Sequence, residues 1–284
     1  MNIQKELMDG ALGGKIHLTC YIPDTTRRVV ILVHGFREFG ERYSKWAEKF
    51  AGIQCAFFAH DQRGHGRTPG KHGSVSSYDL FLKDIDCVRR KVADEYPDLP
   101  VILYGHSMGG NIVLNYILKG FAGSTGSDGS QLIPITCAIL TSPWLRLPKQ
   151  PPRLLIKALA GAGRIFPNFM IKPSLGELSR DIHYIKDIDP ESLMHNCLGI
   201  NICCQIIQAG EYALAHADKI TIPTLLMRAE LDEIVSAAAV EEFAKKSGDH
   251  LEYKSWDMCH ELHNDFGRDQ VFEHVAQFIN RHAL

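Results

Sequence analysis

The chain alternates short, unbroken apolar runs with longer segments in which apolar residues return every three or four positions. "RVVILV" (28–33), "QCAFFAH" (54–60), "PVILY" (100–104), "CAIL" (137–140) and "TLLM" (224–227) carry consecutive apolar residues with no polar one between them. Runs of this length, rich in β-branched and aromatic side chains, suit strands buried on both faces of a parallel sheet. "KIHLTCYI" (15–22), with a partner around "IQKELM", and "LEYKSW" (251–256) read as further strands.

Helical periodicity fills the gaps. "ERYSKWAEKFAG" begins at 41, "GNIVLNYILKG" at 110, "VEEFAKKS" at 240 and "QVFEHVAQFINRH" at 270. Over 77–96, Leu80, Phe81, Ile85, Val88 and Val92 form one apolar stripe, with Ser76 or Ser77 as the expected N-cap. This alternation predicts an α/β chain built on a doubly wound parallel sheet with right-handed crossovers.

Two stretches break the rhythm. "GSTGSDGS" (123–130) reads as a flexible loop by composition. From 143 to 217 the pattern turns helical, after prolines at 148, 151 and 152, and offers no strand for the sheet. The expected organisation is therefore a core in two parts, 1–142 and 218–284, with 143–217 inserted as a mainly helical cap.

Composition narrows the class without naming a function. The 284 residues are 45% hydrophobic and 23% charged, as in soluble globular chains. A net charge of −2 gives no electrostatic footprint for nucleic acid. No apolar run approaches the roughly 18 residues of a membrane span, and the polar opening "MNIQKELMDG" does not read as a secretory signal. Eight scattered cysteines without a Cys-x-x-Cys pattern suit reduced core thiols in a cytoplasmic protein.

Candidate chemistry centres on "YGHSMGG" (104–110), which flanks Ser107 with Gly105 and Gly109 between a strand and a helix. A sharp strand-to-helix turn strains the serine backbone, and neighbours without a Cβ relieve the crowding. The hydroxyl then stands at a helix N-terminus, where dipole and free amides favour a developing negative charge. Serine is a weak nucleophile by itself, so a base and an oxyanion site must be found elsewhere. The Met108 amide and the Phe36 amide, after the strand ending at His34-Gly35, are the candidate oxyanion donors. "AELDEIVS" supplies Glu230, Asp232 and Glu233 after a late strand, and "DMCHELHND" supplies His260 and His263 after the next. Taken in the order serine, acid, histidine, the assignment is Ser107, Asp232 and His260.

"HELH" (260–263) falls one residue short of a zinc-protease signature and lies in a loop, so no metal and no cofactor is expected. "HDQRGHGRTPG" (60–70) reads as a structured turn in which Asp61 and Arg63 tie loops together. Cys259, beside the base, reads either as a thiol-reagent-sensitive site or as a buried filler.

"HGFREFGERY", "DQRGHGRT", "YGHSMGG", "AELD" and "HELHND" together span the chain in order, and in this it resembles the α/β-hydrolases, specifically the monoacylglycerol lipase and lysophospholipase group. The resemblance implies an α/β-hydrolase fold, a mostly parallel central sheet flanked by helices with an inserted cap. It also implies a serine hydrolase cleaving a small lipid ester, monoacylglycerol or lysophospholipid, through an acyl-enzyme. Glu38, Arg42 and His263 match residues that hold the glycerol end of the substrate in that group; a structural ion-pair network is the other reading of the same three. A general short-chain carboxylesterase, a peptidase with the same triad and a non-catalytic ligand-binding homologue remain alternatives. "PRLLIKALAGAGRIFPNFMIK" (152–172) mixes apolar residues with Arg153, Lys157, Arg164 and Lys172. It reads either as a cap shielding the pocket or as a lid making transient membrane-surface contact, which would add a peripheral membrane location.

Overall fold

The computed structural model of the chain describes residues 1–127, 129–165, 169–173, 176–188 and 193–284. Eight strands form one sheet: β1 (Asn2–Asp9), β2 (Lys15–Ile22), β3 (Arg28–Val33), β4 (Cys55–His60), β5 (Val101–His106), β6 (Ile135–Thr141), β9 (Thr224–Ala229) and β10 (Leu251–Trp256). Two further strands, β7 (Met170–Ile171) and β8 (Leu198–Gly199), pair only with each other. The helices are α1 (Ser44–Gly52), α2 (Asp79–Glu95), α3 (Met108–Leu118), α4 (Arg153–Ile165), α5 (Ile182–Ile188), α6 (Ile200–Ala215), α7 (Ala237–Lys246) and α8 (Arg268–His282).

The sheet runs in the order β1-β2-β4-β3-β5-β6-β9-β10. β1 with β2 and β2 with β4 are antiparallel; every other pair is parallel. The unbroken apolar runs are explained by two cores. Along β3, Val29, Ile31 and Val33 enter the core beneath α2, α3 and α6, whereas Val30 and Leu32 enter the one beneath α1 and α8. Successive side chains point to opposite faces, so a strand covered on both sides needs no polar alternation.

α3 is buried along its whole length behind the end of β5. Its two asparagines are satisfied by the insertion: Asn111 donates to the Trp144 and Ile206 carbonyls at 2.7 and 3.2 Å, and Asn115 to the Ala209 carbonyl at 3.1 Å. α6 is thus fixed to the helix behind the sheet. At Gly210 a Cβ would stand 2.0 Å from the Leu145 carbonyl oxygen, so the crossing needs glycine.

Three local expectations change. α2 starts at Asp79, with Tyr78 in the cap position; Ser77 Oγ accepts only the Asp79 amide, at 3.3 Å. The 143–217 stretch adds the ribbon β7–β8, whose two-residue strands are too short to leave a periodic signal, while among the described residues it gives the eight-stranded sheet no strand. Loop 123–130, in which Asp128 lies outside the described residues, is tied down. Asp86 accepts the Ser127 amide at 2.7 Å, and Arg89 donates to the carbonyls of Phe121 and Gly123 at 2.7 and 2.8 Å. A buried Asp and Arg on α2 need partners, and the loop supplies them. Composition cannot register that demand.

Among the described residues, no helix is long and apolar enough to cross a membrane. All eight cysteines are unpaired.

Candidate active site

β5 ends at His106 and α3 begins at Met108, leaving Ser107 alone to turn the chain. Its φ of 52° and ψ of −116° lie where side chains are strained. The turn is held from three directions: Ser107 N donates to the Thr141 carbonyl at 2.9 Å, and its own carbonyl accepts the amides of Asn111 and Trp144 at 3.1 and 2.9 Å. Gly109 is required by a neighbour, since a Cβ there would stand 1.8 Å from the Val33 carbonyl oxygen. At Gly105 it would meet the Gly109 carbonyl oxygen at 2.8 Å.

His260 follows β10 in a loop and is 2% exposed. Its Nδ1 lies 2.7 Å from Asp232 Oδ2, while Asp232 Oδ1 accepts the amides of Ile234 and Val235, each at 2.9 Å. The Ser142 hydroxyl donates to the His260 carbonyl at 2.9 Å. Burial works to lower the imidazole pKa, but the Asp232 carboxylate, with Glu261 and Glu38 behind it, carries it above the ordinary value. The imidazole therefore stays protonated to a higher pH than an unshifted histidine would.

The Phe36 and Met108 amides have no acceptor among the described residues. For Met108 this follows from its place in the first turn of a helix. The Phe36 loop is set by His34, whose Nδ1 lies 2.8 Å from the Gly35 carbonyl while Nε2 accepts the Gln62 amide at 2.9 Å. Those partners fix a neutral tautomer, and burial pushes its pKa down to about 4.

Gly35, Phe36, Ser107 and His260 open onto one cavity of about 410 Å³. Trp144, Leu147, Ile171, Leu178, Cys203, Ile234 and Val235 give it apolar walls, and Glu38, His106 and Glu261 a polar floor. Asp232 stands behind His260, outside the lining.

Of the three residues implied as glycerol contacts, only Glu38 lines the cavity; Arg42 and His263 do not. Arg42, fully buried, donates to Glu38 Oε1 at 2.9 Å and Glu261 Oε2 at 2.8 Å. Glu38 Oε2 also takes the Gly35 amide and the Tyr43 hydroxyl at 2.5 and 2.7 Å. His263 stacks on Tyr43 with ring centres 4.5 Å apart, and neither of its nitrogens has a partner among the described residues. Burial, reinforced by Glu261, raises the Glu38 pKa against the pull of Arg42. Burial also opposes ionisation of Glu261, but Arg42 overcomes it and holds that carboxyl low.

Glu38, His106 and Glu261 offer donor atoms within 4.8 Å of one another, a spacing a metal ion could use. The guanidinium of Arg42 already supplies a positive charge to both carboxylates. Glu261 and His106 are floor residues that sequence reasoning missed. Their signal was adjacency: each directly neighbours a candidate catalytic residue. Cys259 is buried, and burial raises its pKa, which suits a packed thiol more than a reactive one. Asp61 and Arg63 do tie loops: Asp61 accepts the amides of Gly40 and Arg67 at 2.6 and 2.7 Å, and Arg63 pairs with Asp84 at 2.6 Å.

Residues 24–266 match the family described as serine aminopeptidase, S33 (Hydrolase_4). The chain is 26% identical over 280 residues to a monoacylglycerol lipase of Mycolicibacterium smegmatis, covering 96% of this chain and 95% of that one. It is 27% identical over 255 residues to an uncharacterized abhydrolase domain-containing protein of Dictyostelium discoideum; the match covers 88% of this chain and 26% of that much longer protein. A soluble variant of the Saccharomyces cerevisiae monoglyceride lipase, solved with a substrate analog, superposes with a TM-score of 0.82 at 21% identity, covering 100% of this chain and 96% of that one. At that identity the superposition speaks for the fold alone.

Proposed function

The chain belongs to the serine aminopeptidase S33 family of α/β-hydrolases and is a carboxylic ester hydrolase, and we propose that it cleaves monoacylglycerols or lysophospholipids through Ser107, His260 and Asp232. The observation that carries this reading is the meeting of the serine turn with the Asp232–His260 pair at one mixed cavity, apolar on its walls and polar on its floor.

In this mechanism His260 takes the Ser107 proton as the hydroxyl attacks the ester carbonyl, and Asp232 fixes the tautomer and stabilises the imidazolium. The amides of Phe36 and Met108 receive the oxyanion; losing one such donor costs on the order of 10²–10³ in rate. His260 then protonates the leaving alcohol, and water repeats the sequence on the acyl-enzyme. Glu38, with Glu261 beside it, receives hydroxyl groups of the leaving alcohol; Arg42 holds both carboxylates from behind, and His263 stacks on the Tyr43 that donates to Glu38. Two carboxylates against one guanidinium favour a neutral polyol over a phosphorylated one, so monoacylglycerol is the first substrate to test and lysophospholipid the second.

The insertion supports a contact with the lipid surface that holds such substrates. Leu154 and Phe169 are 81% and 57% exposed, with Ile182 also outward and Lys157 and Lys172 at the surface. Residues 166–168 and the side chains of Arg153 and Arg164 lie outside the described part of the structure. Co-sedimentation with anionic vesicles should fall in a Leu154→Ser/Phe169→Ser variant; equal partitioning rejects the contact.

The deciding experiment is turnover of p-nitrophenyl butyrate, monoacylglycerol and lysophospholipid by wild type and Ser107→Ala. Turnover that vanishes in the variant is the expected outcome. A wild type inactive on every ester, or an equally active variant, overturns the reading.

A further inference from the structure

Residues 178–184 of the insertion lie as a strap across the loop that carries His260. The Leu178 carbonyl accepts the Glu261 amide at 2.9 Å, and the Ser179 hydroxyl donates to the Asn264 carbonyl at 3.1 Å. Arg180 donates its amide to Asp265 Oδ1 at 3.0 Å, its Nε to Asp265 Oδ2 at 3.1 Å and its Nη2 to the Asp257 carbonyl at 2.8 Å. Asp181 pairs with Arg268 at 2.9 Å, and that guanidinium lies 3.9 Å from the Tyr184 ring centre.

The knot of this strap is Asp265, a completely buried carboxylate. Besides Arg180, it accepts the Phe266 amide at 2.8 Å and the Cys259 amide at 2.7 Å, one residue before His260. A buried carboxylate is tolerated where charge and hydrogen bonds compensate it, and its cation comes from the insertion. The backbone of His260 is therefore gripped on its N-terminal side by Asp265 through Cys259, at its own carbonyl by Ser142, and on its C-terminal side by Leu178 through Glu261.

We infer that Arg180 is a positioning residue for His260: the insertion holds the base in register through Asp265, in addition to walling the substrate cavity. This rests on the reading of His260 as the base. Without the guanidinium, Asp265 keeps only amide partners, and the 257–268 loop gains freedom at the residue next to the base. Misplacement of a reacting group by about 1 Å can cost on the order of 10² in rate; loosening one grip among three should cost about tenfold.

The test measures kcat per active site, counted by fluorophosphonate titration, and KM on p-nitrophenyl butyrate. Arg180→Ala and Arg180→Gln should each lose about tenfold in kcat per titrated site with KM little changed, because the substrate does not touch Arg180. Arg180→Lys, which returns a cation to Asp265, should recover most of the loss. A residue that only stabilises the fold would lower the melting temperature and the titratable fraction and leave kcat per site intact. That result in Ala and Gln overturns the inference. Gln keeps the test available if Ala does not fold. A wild type that neither turns over esters nor reacts with the fluorophosphonate overturns the reading of His260 first, and this inference with it.

Discussion

Asp232 meets Nδ1 of His260 at 2.7 Å with one carboxylate oxygen and takes two backbone amides with the other. The carboxylate that meets the imidazole is thus itself held by the backbone. Asp232→Asn keeps the shape but can stabilise the wrong tautomer, and should lower kcat on the order of 10³–10⁴ with a small change in KM. Steady-state kinetics on a soluble ester checks it; a loss under tenfold would count against the role.

The same contact sets the pH dependence of activity. Asp232, with the floor carboxylates, raises the His260 pKa against burial, and in the proposed mechanism His260 takes the serine proton only when neutral. Activity should fall as pH drops through this raised value, with the midpoint of kcat/KM above 6.5. In Asp232→Asn the midpoint should move down. A wild-type profile flat from pH 5 to 8 would contradict both statements.

Stability should depend on pH in the opposite sense to that of a histidine with a raised pKa. Burial lowers the pKa of His34, His60, His65, His106 and His263. The unfolded chain therefore binds more protons than the folded one below about 6.5. Each fully displaced site contributes about 1.4 kcal/mol of lost stability per pH unit as pH falls, opposed by the raised sites at His260 and Glu38. Denaturant midpoints should drop steeply from pH 6.5 to 4.5.

Gly109 and Gly52 form a matched pair of tests. A Cβ at Gly109 would stand 1.8 Å from the Val33 carbonyl oxygen, whereas at Gly52 nothing lies within 4 Å. Gly109→Ala should cost about 3 kcal/mol or more, because the serine turn and the end of β3 must separate. Gly52→Ala should stay within about 0.5 kcal/mol. Urea unfolding of both variants checks the contrast.

Arg42 holds two buried carboxylates at once. Arg42→Met leaves them uncompensated and should cost about 3–5 kcal/mol. Adding Glu38→Gln and Glu261→Gln should recover most of that loss, because the penalty lies in the abandoned charges. A triple variant no more stable than Arg42→Met would show that the residues act mainly through packing.

The sequence by itself determined the alternation of strands and helices, because burial on one or two faces leaves a period that short windows preserve. It also fixed the serine turn, since that backbone tolerates few neighbours, and the chain order of Ser107, Asp232 and His260. Only the tertiary structure decided that Arg42 and His263 stand behind Glu38, that Glu261 and His106 reach the cavity floor, and that Arg180 reaches the base loop. These roles depend on contacts between segments far apart in the chain, as with Arg180 and Asp265 or Arg42 and Glu261. A charged residue in a local pattern looks the same whether it faces water or a buried partner. Its energetics are set by which distant group folding brings to it.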